Sequence, residues 1–108
     1  MKPIAFQGTS FDDLRAVPET ARREAGHQLD QVQRGLEPDD WKPTPSVGPG
    51  VREVRVRDEA RAFRGVYAVA QPEAVYVLHA LQKKTQATAK RDLDLARMRL
   101  RELTRSGP

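Results

Sequence analysis

The chain has 108 residues, of which 38% are hydrophobic and none is cysteine. This composition favours one compact domain over residues 1–108 and argues against a disordered chain, a disulfide or a thiolate metal site. The sequence has no apolar run long enough to cross a membrane and no secretory signal, so we expect a cytoplasmic protein without metal or cofactor.

Positive charge is concentrated in the second half of the chain. Residues 1–50 contain 6 Lys and Arg against 8 Asp and Glu, whereas residues 51–108 contain 13 against 7. A basic half of this kind favours a polyanionic partner such as nucleic acid. A solvated charged surface would have the same composition, so charge alone leaves both interpretations open.

The N-terminal part predicts one strand and two helices. Residues 3–7 have the pattern of a short strand, which Pro3 restricts to a sheet edge or to a strand start. Ser10 is suited to cap a helical turn, and Pro18 suits the first position of a second helix that ends at Gly35. This second helix presents one apolar stripe, formed by Ala21, Ala25, Leu29 and Val32.

Residues 35–50 form a long loop in this interpretation. They contain four proline and three glycine residues, so we expect no regular element there, and long loops are often functional. Trp41 lies inside the loop. Its ring either pins the loop onto the core or is exposed for stacking on a base or contacting a partner protein.

Three antiparallel strands are predicted at residues 51–57, 61–70 and 74–82, where Val, Tyr and Phe alternate with polar residues. In the last strand we expect His79 to share a face with Val75, because side chains alternate along a strand. The fold class is therefore α+β, with an antiparallel twisted sheet of about four strands, two N-terminal helices and a C-terminal helix.

The C-terminal helix is predicted to begin at Thr88 as the N-cap and to fray over residues 105–108. Its apolar stripe is Leu93, Ala96, Leu100 and Leu103. Lys90 and Arg91 lie in the first turn, where the helix dipole disfavours positive charge, and this placement suits a site that binds an anion.

A set of basic residues carries the candidate chemistry, because the sequence lacks the common nucleotide-binding, zinc-protease and serine-hydrolase motifs. Histidine as a residue type suits proton transfer near neutral pH, so His79 is a candidate acid or base. We expect Lys83 and Lys84 to lower one another's pKa by proximity, and Arg64 is able to hold a phosphate bidentately. The alternatives are a hydrogen-bonded histidine at a strand end and an ordinary charged strand exit.

The motifs WKP, VYVLHA and QKKT, in this order and spacing, resemble the phage-derived branch of the RelE/HigB toxins of type II toxin–antitoxin systems, and the resemblance covers nearly the whole chain. It implies helices on one face of a twisted sheet and a basic cleft on the other. It also implies ribosome-dependent, metal-independent cleavage of translating mRNA, by attack of the 2′-oxygen on its own phosphate. The implied partner, besides the ribosome and mRNA, is a cognate antitoxin, often a helix-turn-helix protein.

The resemblance also assigns roles to individual residues. It makes Arg64 the arginine that holds the scissile phosphate and places basic residues after the last strand. The resemblance and the residue types together give the catalytic set Arg64, His79, Lys83 and Lys84, in which the role of His79 is inferred from its residue type. They give the RNA-binding set Arg55, Arg57, Arg61, Lys90 and Arg91, of which the resemblance supports Arg55 and Arg57. The chain departs from the family pattern at Leu81, where an aromatic residue is common, and at Ala89, where proline often opens the last helix.

Two other functions compete with the nuclease. One is a ParE-like inhibitor of DNA gyrase, and the other is a basic module that binds nucleic acid without catalysis. The gyrase lineage generally lacks the basic catalytic set, so Arg64, His79, Lys83 and Lys84 favour the nuclease.

Overall fold

The computed structural model describes residues 1–57, 62–83 and 88–106, with only the backbone at Lys83 and Ser106. It contains, in chain order, β1 (Ile4–Phe6), α1 (Ser10–Arg15), α2 (Glu19–Gln33), β2 (Trp41–Pro43), β3 (Val51–Arg57), β4 (Ala62–Ala68), β5 (Val75–Lys83) and α3 (Lys90–Ser106). The α+β class is confirmed. No helix in the described ranges is long and apolar enough to span a membrane.

The sheet has five strands in the order β1-β5-β4-β3-β2. Neighbouring strands from β2 to β5 are antiparallel, whereas β1 pairs parallel with β5, so the sheet is mixed and has one strand more than expected. Pro3 directly precedes β1, which is an edge strand of the sheet, as predicted. The carbonyl of Pro3 accepts a hydrogen bond from the peptide nitrogen of Val75.

The helices cover both faces of the sheet. The first apolar cluster joins α1 and α2 to the face that carries Val54, Phe63 and Tyr67. The second cluster joins Ala96 of α3 to the opposite face, through Val66 and neighbouring residues. The expectation that all helices pack on one face is wrong, because the apolar stripe of α3 packs on the other face.

Helix α2 follows its sequence pattern closely. Its four stripe residues are buried in the first cluster, as predicted. Pro18 is the N-cap rather than the first helical residue. Gly35 has φ of +83° and follows the C-cap, and the peptide nitrogen of Leu36 donates to the carbonyl of Gln31 at 2.9 Å. Gly35 therefore ends the helix, as predicted.

Two predicted capping roles are wrong because both hydroxyls have other partners. Ser10 is buried inside α1, and its hydroxyl donates to the carbonyl of Val77 at 3.2 Å. The carbonyl of Ala89 accepts the first hydrogen bonds of α3, and the hydroxyl of Thr88 instead donates to Glu53. At its other end α3 continues to Ser106, and residues 107–108 of the segment predicted to fray lie outside the described residues.

The proline-rich loop contains a strand, contrary to expectation. Residues Trp41–Pro43 pair with β3, and the next peptide nitrogen, of Thr44, donates to the carbonyl of Val51 at 2.9 Å. Pro43 is tolerated because β2 is an edge strand. The ring of Trp41 is half-buried, and the guanidinium carbon of Arg52 lies 4.3 Å from its centre.

Strand β5 contains a bulge that changes which side chains share a face. Val66 pairs with His79, whereas the next residue of β4, Tyr67, pairs with Val77, so Leu78 is an extra residue. Beyond the bulge Ala80 joins the first cluster, and His79 contacts α3. The expectation that His79 shares a face with Val75 is therefore wrong.

Candidate functional site

The candidate site lies on the α3 face of the sheet, where β3 ends and β4 begins. Arg55 and Arg64 are register partners across these two strands. Both side chains approach one oxygen of Glu53, with Arg55 Nε and Arg64 Nη1 each 3.4 Å from Oε1. One carboxylate therefore holds two guanidinium groups side by side.

Thr88 connects this cluster to the start of α3. Its hydroxyl donates to Glu53 Oε2 at 2.6 Å and accepts a hydrogen bond from Arg64 Nη1 at 3.2 Å. Both oxygens of Glu53 are thus engaged, one by the arginines and the other by the hydroxyl. The residue expected to cap the helix instead attaches that helix to the sheet.

The cluster is buried to different depths. Glu53 is 0% exposed and Arg64 is 2% exposed, whereas the Arg55 side chain is 19% exposed. Removing one member of a buried ion pair leaves an uncompensated charge in a medium that solvates it poorly. Two arginines against one carboxylate give the cluster a net positive charge, and Arg55 is the member that solvent reaches.

His79 lies on the neighbouring strand and forms a second buried cluster with α3. Its Nε2 is 2.8 Å from Asp92 Oδ1, and its Nδ1 is 3.3 Å from Arg99 Nη1. The same Nη1 donates to the carbonyl of Leu78 at 2.8 Å, and Nη2 donates to the hydroxyl of Thr9 at 3.3 Å. Arg99 therefore joins α3, the bulge of β5 and the loop before α1.

The partners of His79 select its tautomer. A guanidinium group only donates hydrogen bonds, so Nδ1 accepts from Arg99 and Nε2 carries the proton that it donates to Asp92. Both ring nitrogens of the 6% exposed His79 are occupied by protein groups. His79 and Asp92 also line a cavity, together with Gln82 of the same strand.

Three other predicted cations, Arg57, Lys90 and Arg91, lie at the periphery. The Arg57 side chain is 67% exposed, with Nε 3.6 Å from Asp40 Oδ2. Lys90 is exposed and donates to Asp94 at 3.0 Å, and this contact, with a smaller effect of Arg97, lowers the pKa of Asp94 below its usual value of 3.8. Arg91 is also exposed. The structure thus brings Arg55, Arg64 and His79 to one face of the sheet, and leaves Arg57, Lys90 and Arg91 outside this group.

Three predicted site residues cannot be assigned contacts. Arg61 and Lys84 lie outside the described residues, and Lys83 is described only by its backbone, which pairs with Ala62. Their predicted roles stay predictions.

The sequence predicted the arginines and the histidine but not the residues that hold them. The missed partners are Thr9, Glu53, Thr88, Asp92 and Arg99. Glu53 carried a signal, because it is the only carboxylate in a strand whose other charged side chains are arginines. Within the described ranges no three His, Asp or Glu side chains are grouped so as to hold a metal ion.

A comparison with protein families gives one match. Residues 12–101 match the sequence model of a family described as phage derived protein Gp49-like (DUF891). The matched range includes both buried clusters apart from Thr9. No curated protein matches the chain.

Proposed function

Because the chain belongs to the phage-derived Gp49-like family, which is associated with the toxins of toxin–antitoxin systems, we propose that it is the toxin of a type II system. Its activity in this proposal is that of a ribosome-dependent, metal-independent mRNA endonuclease. The partners are the ribosome, mRNA and a cognate antitoxin, with a helix-turn-helix protein as the expected kind.

The observation that carries this proposal is the pair of arginines held in register by Glu53. Cleavage by the 2′-oxygen builds negative charge on the scissile phosphate, and fixed cations stabilise that charge without reorganisation. Arg64 is the proposed phosphate ligand, and the more exposed Arg55 is the group that RNA meets first. Since Arg64 is buried, its contact with phosphate requires the start of α3, attached through Thr88, to move.

The other steps are assigned to groups near the end of β5. Lys83 and Lys84 are the proposed proton-transfer groups, and a positioned acid or base of this kind contributes about 10²–10⁴-fold. His79 was predicted to take part in catalysis. With both ring nitrogens engaged, it acts on RNA only after releasing Asp92 or Arg99, so the geometry supports a role in positioning β5 against α3.

The test removes Arg64, the proposed phosphate ligand, without leaving the Glu53 carboxylate buried and unpaired. Arg64→Gln alone would strand the Glu53 carboxylate, so the informative variant is Glu53→Gln combined with Arg64→Gln. We expect this variant to keep a native circular dichroism spectrum and to cleave mRNA about 10²–10³-fold more slowly in a purified translation reaction, as for loss of one oxyanion-stabilising donor.

Arg23→Gln is the matched control, because Arg23 is an exposed arginine of α2 that pairs only with Glu19 among the described residues. It should retain wild-type cleavage. Unchanged cleavage by the double variant would refute the role of Arg64.

Expression of the wild-type chain alone tests which of the three functions the chain has. Fragments of mRNA support the nuclease, a DNA-damage response supports the gyrase inhibitor, and the absence of both effects supports a non-catalytic module.

A further inference from the structure

A second concave surface lies far from the arginine cluster, between the C-terminal end of α2 and the sheet. Its floor is apolar and is formed by Val32, Val69 and Val75. Its rim carries Leu36, which is 57% exposed although it is a large apolar residue. The remaining lining residues are Met1, Lys2, Gln33, Arg34, Gly35, Glu37 and Arg52. We call this surface the α2 pocket.

Two cations of the α2 pocket have no carboxylate partner within the described ranges. Lys2 Nζ donates only to two carbonyl groups, of Val69 at 3.3 Å and of Gln71 at 3.2 Å. The guanidinium of Arg52 stacks on the ring of Trp41 at 4.3 Å. Of the other charged lining residues, Arg34 pairs with Asp30 at 2.9 Å, and Glu37 contributes a carboxylate to the rim. The pocket therefore offers positive charge above an apolar floor.

A buried hydroxyl lies beside these cations. Tyr67 is 0% exposed, and its hydroxyl has no hydrogen bond of good geometry to any described residue. Burial raises the pKa of Tyr67 to about 12, although the nearby Arg52 guanidinium acts in the opposite direction. Arg52 and Tyr67 are register partners, so the guanidinium connects the pocket to this hydroxyl.

The α2 pocket and the arginine cluster lie on opposite faces and at opposite ends of the same strands. Arg52 is near the start of β3 and Val69 follows the end of β4, whereas Arg55 and Arg64 are near the other ends. The side chain of Arg52 faces the α2 layer, and that of Arg64 faces α3. A ligand in the pocket does not contact the arginine cluster.

We propose that the α2 pocket is the docking site for the cognate antitoxin, and that it receives a segment with a carboxylate next to a large apolar side chain. This inference rests on the proposed function for the identity of the partner. The carboxylate would pair with Lys2 and Arg52, and the apolar side chain would cover the valine floor against Leu36. Protein fits better than RNA, because the valine floor and Leu36 offer an apolar surface that a peptide side chain covers and a phosphate backbone does not.

The experiment measures antitoxin affinity and toxicity separately. The probe is the small protein that is encoded beside this gene and binds the wild-type chain. Leu36→Asp and Arg52→Gln should each weaken its binding about tenfold or more, as for loss of an interface hot spot. Toxicity in the absence of the probe should stay at the wild-type level, because neither residue belongs to the arginine cluster. Leu36→Asp changes an exposed side chain, so we expect this variant to fold like the wild type and its loss of affinity to report on the pocket.

Arg23→Gln on α2 is again the control, since it removes one positive charge at the opposite end of the same helix. It should leave the affinity unchanged. Wild-type affinity in both pocket variants would overturn the docking site, and so would loss of toxicity with unchanged affinity, which would indicate a contact with RNA or the ribosome. A wild-type chain that binds the probe but neither cuts mRNA nor arrests growth would refute the proposed function instead.

Discussion

At the scale of single residues, the site depends on buried polar groups that satisfy one another. Glu53 is surrounded by two arginines and a hydroxyl, and His79 lies between a carboxylate and a guanidinium. Buried charges of this kind contribute little net stability when paired, and are costly when one partner is removed. Their arrangement therefore fixes geometry more than it strengthens the fold.

Arg99 provides a direct test of this view. Arg99→Met keeps most of the side-chain volume but leaves the carbonyl of Leu78, the Nδ1 atom of His79 and the hydroxyl of Thr9 without their donor. We expect the free energy of unfolding, from urea denaturation, to fall by about 1–3 kcal/mol. Arg101→Met changes an exposed arginine of the same helix and should stay within about 0.5 kcal/mol of wild type. Equal stability of the two variants would contradict the role of Arg99.

The sequence identified Arg55, Arg64 and His79 by residue type, since arginine suits phosphate and histidine titrates near neutral pH. Apart from Glu53, which lies in the same strand as Arg55, it gave no sign of their partners, because those partners lie on other elements of the chain. Glu53 meets Thr88 across 35 residues, and Thr9 meets Arg99 across 90. No local pattern encodes such pairs, so the burial of Arg64 was also not predictable.

At the scale of elements, local sequence patterns predicted which helices form better than they predicted bulges, edge strands and the face that each side chain occupies. For α2, the apolar stripe and the terminating glycine were sufficient to predict the buried face and the end of the helix, because both follow from helix geometry. The bulge at Leu78 had no sequence signal, and it places the His79 side chain on the face of the sheet opposite to the expected one. Strand β2 was missed because proline and glycine normally interrupt strands, and the edge position that tolerates Pro43 is a property of the folded sheet.

The end of α2 yields a prediction with an internal control. Gly35 has φ of +83°, where a Cβ atom is strained, so Gly35→Ala should lower the free energy of unfolding by about 1–2 kcal/mol. Gly26 is exposed within the same helix and has open space around it, so Gly26→Ala should raise stability by about 0.5–1 kcal/mol. Chemical denaturation measures both. A shift of the same sign in the two variants would contradict this account.

At the scale of the whole molecule, one sheet is shared by two apolar clusters. The α2 layer packs on one face and α3 on the other, so β4 and β5 contribute side chains to both clusters. Separation of either layer exposes to solvent the apolar face of the shared sheet that this layer covers. We therefore expect the two layers to unfold together.

Two cavity-forming variants test this coupling. Leu29→Ala in the α2 layer and Leu78→Ala in the α3 layer should each lower the free energy of unfolding by about 2–5 kcal/mol. In both variants the fluorescence of Trp41, the single tryptophan, should change at the same urea concentration as the circular dichroism signal. Leu36→Ala, at an exposed position, is the control that should change little. Separate midpoints for the two signals would show that the layers unfold independently.

The parallel pairing of β1 with β5 has a consequence for how the protein is made. Ile4 lies opposite Val75, so the first strand waits for a partner that is synthesised 71 positions later. At roughly 5–20 residues per second, this wait lasts on the order of 4–14 seconds. The contacts of Thr88, Asp92 and Arg99 follow later still, because α3 leaves the exit tunnel after the five strands. A nascent chain therefore completes its buried polar clusters only after α3 has emerged.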